Sequence, residues 1–319
     1  MADFTVPEFI RPENKLVDEY SAQRLAARAK AGNLYRVRRG LYLPFELWQA
    51  LTPWEKYRVQ IQAVHETAMR PPVFARQSAA AVLGLPYFGF RNPVETVVSG
   101  DKSGGQSSSG VHRVKAIPGD PPPWEMFGLQ VTPPPQTARD LAVRLSFSDA
   151  LPAMDKALQA RTPQSWPWDR QRIFSPQDVL ASAELLPNKT QRTRVARVVG
   201  YANGLSQSAG ESKSRAVMIL NGFPPPQLQV RFSDSNGLIG YPDFDWEEYQ
   251  TLGEFDGYEK YSAQKYLKGR TPSKVVVEEK KREDRLRAKG YKVVRWLWED
   301  LTDPRRLVRL LQGAGLPTK

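Results

Sequence analysis

The period of the apolar positions changes several times along the chain, and each change marks an element. After Ser21, which has the chemistry of an N-cap, apolar residues recur at helical spacing to about Ala31, and Gly32 stops the helix. From Asn33 to Pro44 the period drops to two. Leu34, Arg36 and Arg38 alternate with Tyr35, Val37 and Arg39, and Gly40 permits a turn before LYLP. Helical spacing returns in QSAAAVLGLP (Gln77 to Pro86), FGLQVTPPPQTARDLA (Phe127 to Ala142) and FSDALPAMDKALQ (Phe147 to Gln159), with VETVVSG (Val94 to Gly100) as a short strand between them. These segments read as core and carry no chemistry of their own.

The last third follows a helix-strand-strand-strand pattern. SAGESKSRAVMILNGFP puts Ala216, Val217, Ile219 and Leu220 on a helix that begins after Ser208. PQLQVRF (Pro226 to Phe232), LIGYPDFDW (Leu238 to Trp246) and YQTLGEFDGYEKY (Tyr249 to Tyr261) read as three antiparallel strands. A basic helix, VVVEEKKREDRLRAKG (Val275 to Gly290), a buried strand, YKVVRWLW (Tyr291 to Trp298), and a helix from Pro304 to Gln312 complete a mixed sheet flanked by helices.

Breaks fall at DKSGGQSSSG (Asp101 to Gly110), at Pro121 to Pro123 and at TPQSWPWD (Thr162 to Asp169). They divide the chain into residues 1–55, 56–165, a helical linker over 166–199, and 200–319. The expected fold class is therefore a multidomain α+β and α/β protein. Its 319 residues exceed what one core usually organises.

Charge changes the picture most. With 46 Lys and Arg against 34 Asp and Glu, the net charge is +12. Such a surface favours a polyanion, and nucleic acid is the commonest one a soluble protein meets. No apolar run approaches the roughly 20 residues that span a bilayer, so a cytoplasmic protein without a membrane partner is expected. The chain has no cysteine and only His65 and His112, which excludes thiolate zinc sites and histidine-rich metal centres. Phosphate-loop, dinucleotide and G-x-S-x-G patterns are absent from the sequence.

Two sets of residues carry candidate chemistry. In the first region a helix bearing Gln23, Arg24, Arg28 and Lys30 precedes the basic run containing Arg36, Arg38 and Arg39. Helix followed by basic hairpin is the layout of a winged helix, whose second helix enters the major groove while the wing rests arginines on phosphates. A solvated helix beside an edge hairpin, charged against edge pairing, gives the same pattern.

The second set is acidic. Glu211 opens its helix. Period two places Asp243 with Asp245 on one strand face and Glu254 with Asp256 on another, among Phe244, Trp246 and Phe255. Carboxylates this close repel unless a cation compensates, which points to Mg²⁺ held by hard oxygens. Ser208-x-x-Glu211 is equally a capping box. Lys260 and Lys280 lie within sequence reach as cations for a phosphate, although Lys280 with Asp284 and Glu278 with Arg282 are also ordinary i, i+4 pairs.

The series RVRRGLYLP, SAAAVLGLP, a short strand, GLQVTPPPQTARDLA and FSDALPAMDKAL resembles, over about residues 15 to 160, the AbiEi-type antitoxins of abortive-infection, type IV toxin-antitoxin systems. That resemblance implies an N-terminal winged helix that binds operator DNA, an α/β middle domain and a cognate toxin as partner. Arg76 and Gln77 stand where relatives carry a Ser-His pair. The order of glutamate helix, Asp strand and E-x-D strand is similar, over about residues 200 to 312, to the PD-(D/E)XK nucleases, in the branch of very short patch repair endonucleases.

This second resemblance implies a restriction-endonuclease-like sheet. It implies one or two Mg²⁺ ions, or Mn²⁺, on Glu211, Asp243 and Glu254; the candidate catalytic set read from the residues extends to Asp256, Lys260 and Lys280. Asp256 occupies the place of the motif lysine. The expectation is a DNA-binding protein with a Mg²⁺-dependent endonuclease domain in phage defence. The competing expectation is a non-enzymatic antitoxin and repressor whose nuclease fold is inactive, and RNA is a further substrate the charge allows.

Overall fold

Hydrophobic burial divides the chain differently from its proline-rich breaks. The computed structural model describes residues 4–12, 21–88, 93–98, 105–106, 110–159, 174–257 and 272–318. It contains two compact units, one of Met1–Arg144 with Arg161–Gly200, the other of Leu145–Ala160 with Tyr201–Lys319. Both mix helices with mixed sheets. Among the described residues no helix is long and apolar enough to cross a membrane.

In the first unit α1 (Ala22–Lys30) begins at Ser21, whose Oγ accepts the Arg24 N–H. It is followed by β1 (Leu34–Arg38), β2 (Leu41–Pro44), α2 (Phe45–Ala50) and α3 (Pro53–Thr67). The two strands form an antiparallel hairpin, and Ile10 pairs with Tyr42 at its other edge. Leu25, Leu34 and Tyr42 close one side of it. On the other, Leu41, Leu43, Trp48 and Val59 pack together, and the Tyr35 ring stacks on Trp48 with centroids 4.1 Å apart. Burying aromatic faces on both sides of a two-stranded ribbon supplies what an isolated hairpin lacks.

The rest of this unit is a six-stranded mixed sheet in the order β5-β6-β4-β3-β8-β7. Its strands are β3 (Val73–Phe74), β4 (Val94–Val98), β5 (Gly105–Gln106), β6 (Val111–Lys115), β7 (Trp124–Met126) and β8 (Leu129–Val131). The small residues of α4 (Arg76–Leu83) let that helix sink into the core from Gln77 to Leu83. Helices α5 (Pro134–Arg144), α7 (Pro176–Glu184) and α8 (Lys189–Tyr201) complete the unit, α6 belonging to the second. The stretch read from sequence as a linker thus supplies two helices of this unit. Arg139, fully buried on α5, ties that helix to α7: its guanidinium donates to Asp120, Asp140 and the Ser182 carbonyl.

The second unit begins with α6 (Phe147–Ala157), which the sequence breaks assign to the middle domain. It packs on α9 (Ala209–Leu220), where Arg215 Nη1 donates to Asp155 Oδ2 at 2.7 Å. The expected three long strands are instead five short ones in two sheets. Gln229, at φ 54°, interrupts the first, leaving β9 (Gln227–Leu228) and β10 (Phe232–Asp234). Pro242, which cannot donate to a ladder, follows Gly240 at φ 152° and divides the second into β11 (Gly237–Gly240) and β12 (Phe244–Trp246).

β10 and β11 form a separate hairpin, while β13 (Thr251–Phe255) and β14 (Lys292–Trp296) extend the main sheet in the order β14-β13-β12-β9. The pair β13-β14 is parallel, connected through α10 (Pro272–Ala288). Short helices α11 (Trp298–Thr302) and α12 (Pro304–Gly313) follow. Phe244, Trp246, Phe255 and Trp296 pack with Val217 and Met218 of α9, and Leu307 and Leu311 of α12 join the same cluster.

Candidate functional site

Glu211 reaches the sheet because its helix comes unusually close to it. A Cβ at Gly210 would lie 2.0 Å from the Phe255 ring, so only glycine permits this approach. Ser208 Oγ accepts the Glu211 N–H at 3.1 Å, as a cap does, and Glu211 Oε2 accepts the Gln207 N–H at 2.8 Å. The carboxylate is buried. It also faces a side chain that the sequence reading did not single out, Gln229, whose Nε2 lies 3.4 Å from Glu211 Oε2 and 3.3 Å from Asp243 Oδ1. Gln207 Nε2 donates to Gln229 Oε1 at 3.0 Å, which fixes the amide with its nitrogen toward the acids. Asp243 Oδ2 accepts the Phe255 N–H at 2.9 Å. Glu211 and Asp243 are thereby brought together at the end of β13.

Glu254 and Asp256 turn to arginines. Glu254 is the register partner of Arg295 across β13-β14, and Arg295 Nη2 lies 2.8 Å from Glu254 Oε2. The other oxygen, Oε1, is held by Arg282 of α10. Arg295 also lies 3.4 Å from Asp256 Oδ2 and 2.6 Å from Glu279 Oε1, and Arg282 lies 3.0 Å from Glu279. Burial pushes the Glu254 carboxyl upward against the pull of Arg282 and Arg295. For both guanidinium groups burial is outweighed by their carboxylate partners, which hold them above the usual arginine range.

Asp245 plays a different part from Asp243. It pairs across the sheet with Leu252, and its Oδ1 finds no hydrogen-bond partner among the described residues. Burial, with Glu247 adding to it, raises its pKa to about 6. Lys260 lies outside the described residues. Lys280 is exposed on α10, and Arg282 is the residue of that helix that reaches Glu254.

Mg²⁺ requires a near-octahedral set of hard oxygens. Among the described residues no group of three or more His, Cys, Asp or Glu side chains is arranged to hold a metal ion. Both Glu254 oxygens are committed to guanidinium groups. In this arrangement the donor set does not fit the ion.

At the N-terminal hairpin Gln23, Arg24, Lys30, Arg36 and Arg39 are exposed, while Arg28 and Arg38 are half-buried. The expected shared face of Arg36 and Arg38 is broken by a bulge between them. Arg38 Nε instead donates to Thr67 Oγ1 of α3 at 2.6 Å, and burial lowers its pKa.

No protein-family model and no solved structure matches the chain. Two curated proteins of Mycobacterium tuberculosis are similar to it: "Uncharacterized protein MT2308" of strain CDC 1551 / Oshkosh and "Uncharacterized protein Rv2248" of strain ATCC 25618 / H37Rv. Each is 31% identical over 136 residues, which is 41% of this chain. The matched stretch spans 45% of each relative's length.

Proposed function

We propose that this protein is a DNA-binding regulator, an antitoxin-like repressor with a nuclease-like second unit that is not catalytic. Helix α1 and the β1-β2 hairpin would act as the recognition helix and wing, with Arg36 and Arg39 against phosphates and a cognate toxin as protein partner. The observation that carries the non-catalytic part is the commitment of both Glu254 oxygens to Arg282 and Arg295. A divalent ion recruited there would have to displace two fixed cations.

The second reading, a Mg²⁺-dependent DNA endonuclease, is favoured by one observation. Glu211 and Asp243 share the Gln229 amide, and Asp243 is tied to the backbone of Phe255, next to Glu254. A plasmid-nicking assay with Mg²⁺ or Mn²⁺ separates the two. The regulator reading expects duplex binding without metal-dependent nicking. Nicking that Asp243→Ala abolishes while binding persists would establish the endonuclease instead.

A further inference from the structure

Residues 185–210 contain Lys189, Arg192, Arg194 and Arg197 and not one acidic residue. Most of the stretch is α8, whose Val195, Val198 and Val199 are buried at i, i+3 and i+4. With that face occupied, Lys189, Thr190, Thr193, Arg194 and Arg197 are turned outward and exposed. Lys189, Thr193 and Arg197 are successive i, i+4 positions and make one row. An ordinary solvated helix face carries both signs in compensating pairs. This one accumulates a single sign.

The row does not end with the helix. Arg194 Nη1 donates to the Val143 carbonyl at 3.0 Å, which fixes α8 beside the end of α5. The next residue is Arg144, whose side chain is 47% exposed. Its Nη1 lies 3.1 Å from Glu95 Oε1, an oxygen that Arg76 and the His112 Nδ1 also approach, at 3.4 and 3.5 Å. Two guanidinium groups therefore share one buried carboxylate where α8 meets α5.

Given the DNA-binding reading on which this rests, we infer that α8, with Arg144 beside it, is a second phosphate-contacting surface of the first unit, engaging the duplex backbone without reading sequence. Lys189 and Arg197 are separated by about 12 Å along the helix axis, the axial rise of three to four phosphates of one strand. Arg194 and Thr193 lie between them. An anionic membrane is the other polyanion that attracts a basic helix, but such helices insert an apolar face. The apolar face of α8 is buried within the unit.

The test is duplex binding by the full chain, followed by fluorescence anisotropy over roughly 50 to 200 mM salt. Lys189→Gln, Arg194→Gln and Arg197→Gln combined should lower the slope of log affinity against log salt by about 2 to 3, close to 0.9 for each phosphate no longer neutralised. Thr193→Glu changes only an exposed side chain and should lower it by about 1, which keeps the surface testable if the triple variant folds poorly. An unchanged slope in both, while Arg36→Ala with Arg39→Ala still reduces it, overturns the α8 surface and leaves the hairpin reading intact. Loss of binding to phosphatidylserine vesicles with duplex binding unchanged overturns it in favour of a membrane. A wild-type chain that binds no duplex removes the reading on which the surface rests.

Discussion

Glu254 and Arg295 are register partners on the parallel strands β13 and β14, and their charged ends meet at 2.8 Å. Because the sheet itself sets this pair, no loop has to be ordered to hold it. Arg295 serves Glu279 and Asp256 as well, whereas Glu254, with a side chain 5% exposed, has Arg282 as its other cation.

The asymmetry predicts unequal costs. Arg295→Met leaves a buried carboxylate short of one of its two counter-charges and should lower unfolding free energy by about 3 kcal/mol. Glu254→Gln leaves Arg295 with Glu279, Asp256 and Glu283 as acidic partners and should cost about 1 to 2 kcal/mol. Urea denaturation of both variants checks the order. Costs below about 0.5 kcal/mol for both would mean that the pair is solvated and that the acids are not locked.

In the hairpin, Arg36 and Arg39 are exposed while Arg38 is anchored to Thr67. Arg36→Ala with Arg39→Ala should reduce the salt slope of duplex binding by about 2 and weaken binding to unrelated duplexes alike. Arg38→Ala should act mainly on stability, by about 1 kcal/mol through the missing hydrogen bond and stem packing. Thermal melts and anisotropy on the same samples separate these effects. A fall in affinity from Arg38→Ala alone, without a change in melting temperature, would reverse the assignment.

Local period carried α1, the hairpin, α9 and β14 from sequence to within a few residues, because each pairs a clear apolar pattern with a cap or a turn residue. The fragmentation of PQLQVRF and LIGYPDFDW was less legible. Alternation continues through Gln229, and nothing in glutamine announces a positive φ. Proximity of the acids in sequence singled out the stretch in which Glu211 and Asp243 meet at Gln229. Which cation answers Glu254 depends on strand register, set by non-local pairing, so Arg295 stood out no more than the neighbouring Lys292. The grouping of α6 with the second unit is likewise a long-range matter, resting on contacts such as Asp155 with Arg215, 60 residues apart.

That contact is a strong determinant of the second unit. Arg215 Nη2 donates to the Tyr201 carbonyl at 2.6 Å, and Asp155 Oδ1 accepts the Asn203 N–H at 2.8 Å, so both members have further partners. Arg215→Leu removes the guanidinium bonded to the buried Asp155 carboxylate and should destabilise by about 3 to 5 kcal/mol. Asp155→Asn keeps an acceptor for Asn203 and should cost less, about 2 kcal/mol. Protease sensitivity between α6 and α9, compared with wild type, reads the same loss locally.

Asp245 gives a pH dependence of opposite sign to the usual carboxylate. Its folded pKa of about 6 lies above the ordinary value of 3.8, because burial disfavours the charge and Glu247 repels it. Between these two values the folded chain keeps a proton that the unfolded chain releases. The contribution is therefore full below about 4 and is lost as pH rises to about 6, beyond which the ionised group is a constant cost. A pKa difference of about 2 corresponds to roughly 3 kcal/mol, and relaxation around the charge brings the expected effect to about 1 to 2 kcal/mol. Asp245→Asn should thus raise the melting temperature at pH 7 and change it little at pH 4. If the substitution lowers stability at pH 7, the carboxylate has a favourable role in its ionised form, and burial is not what governs this residue.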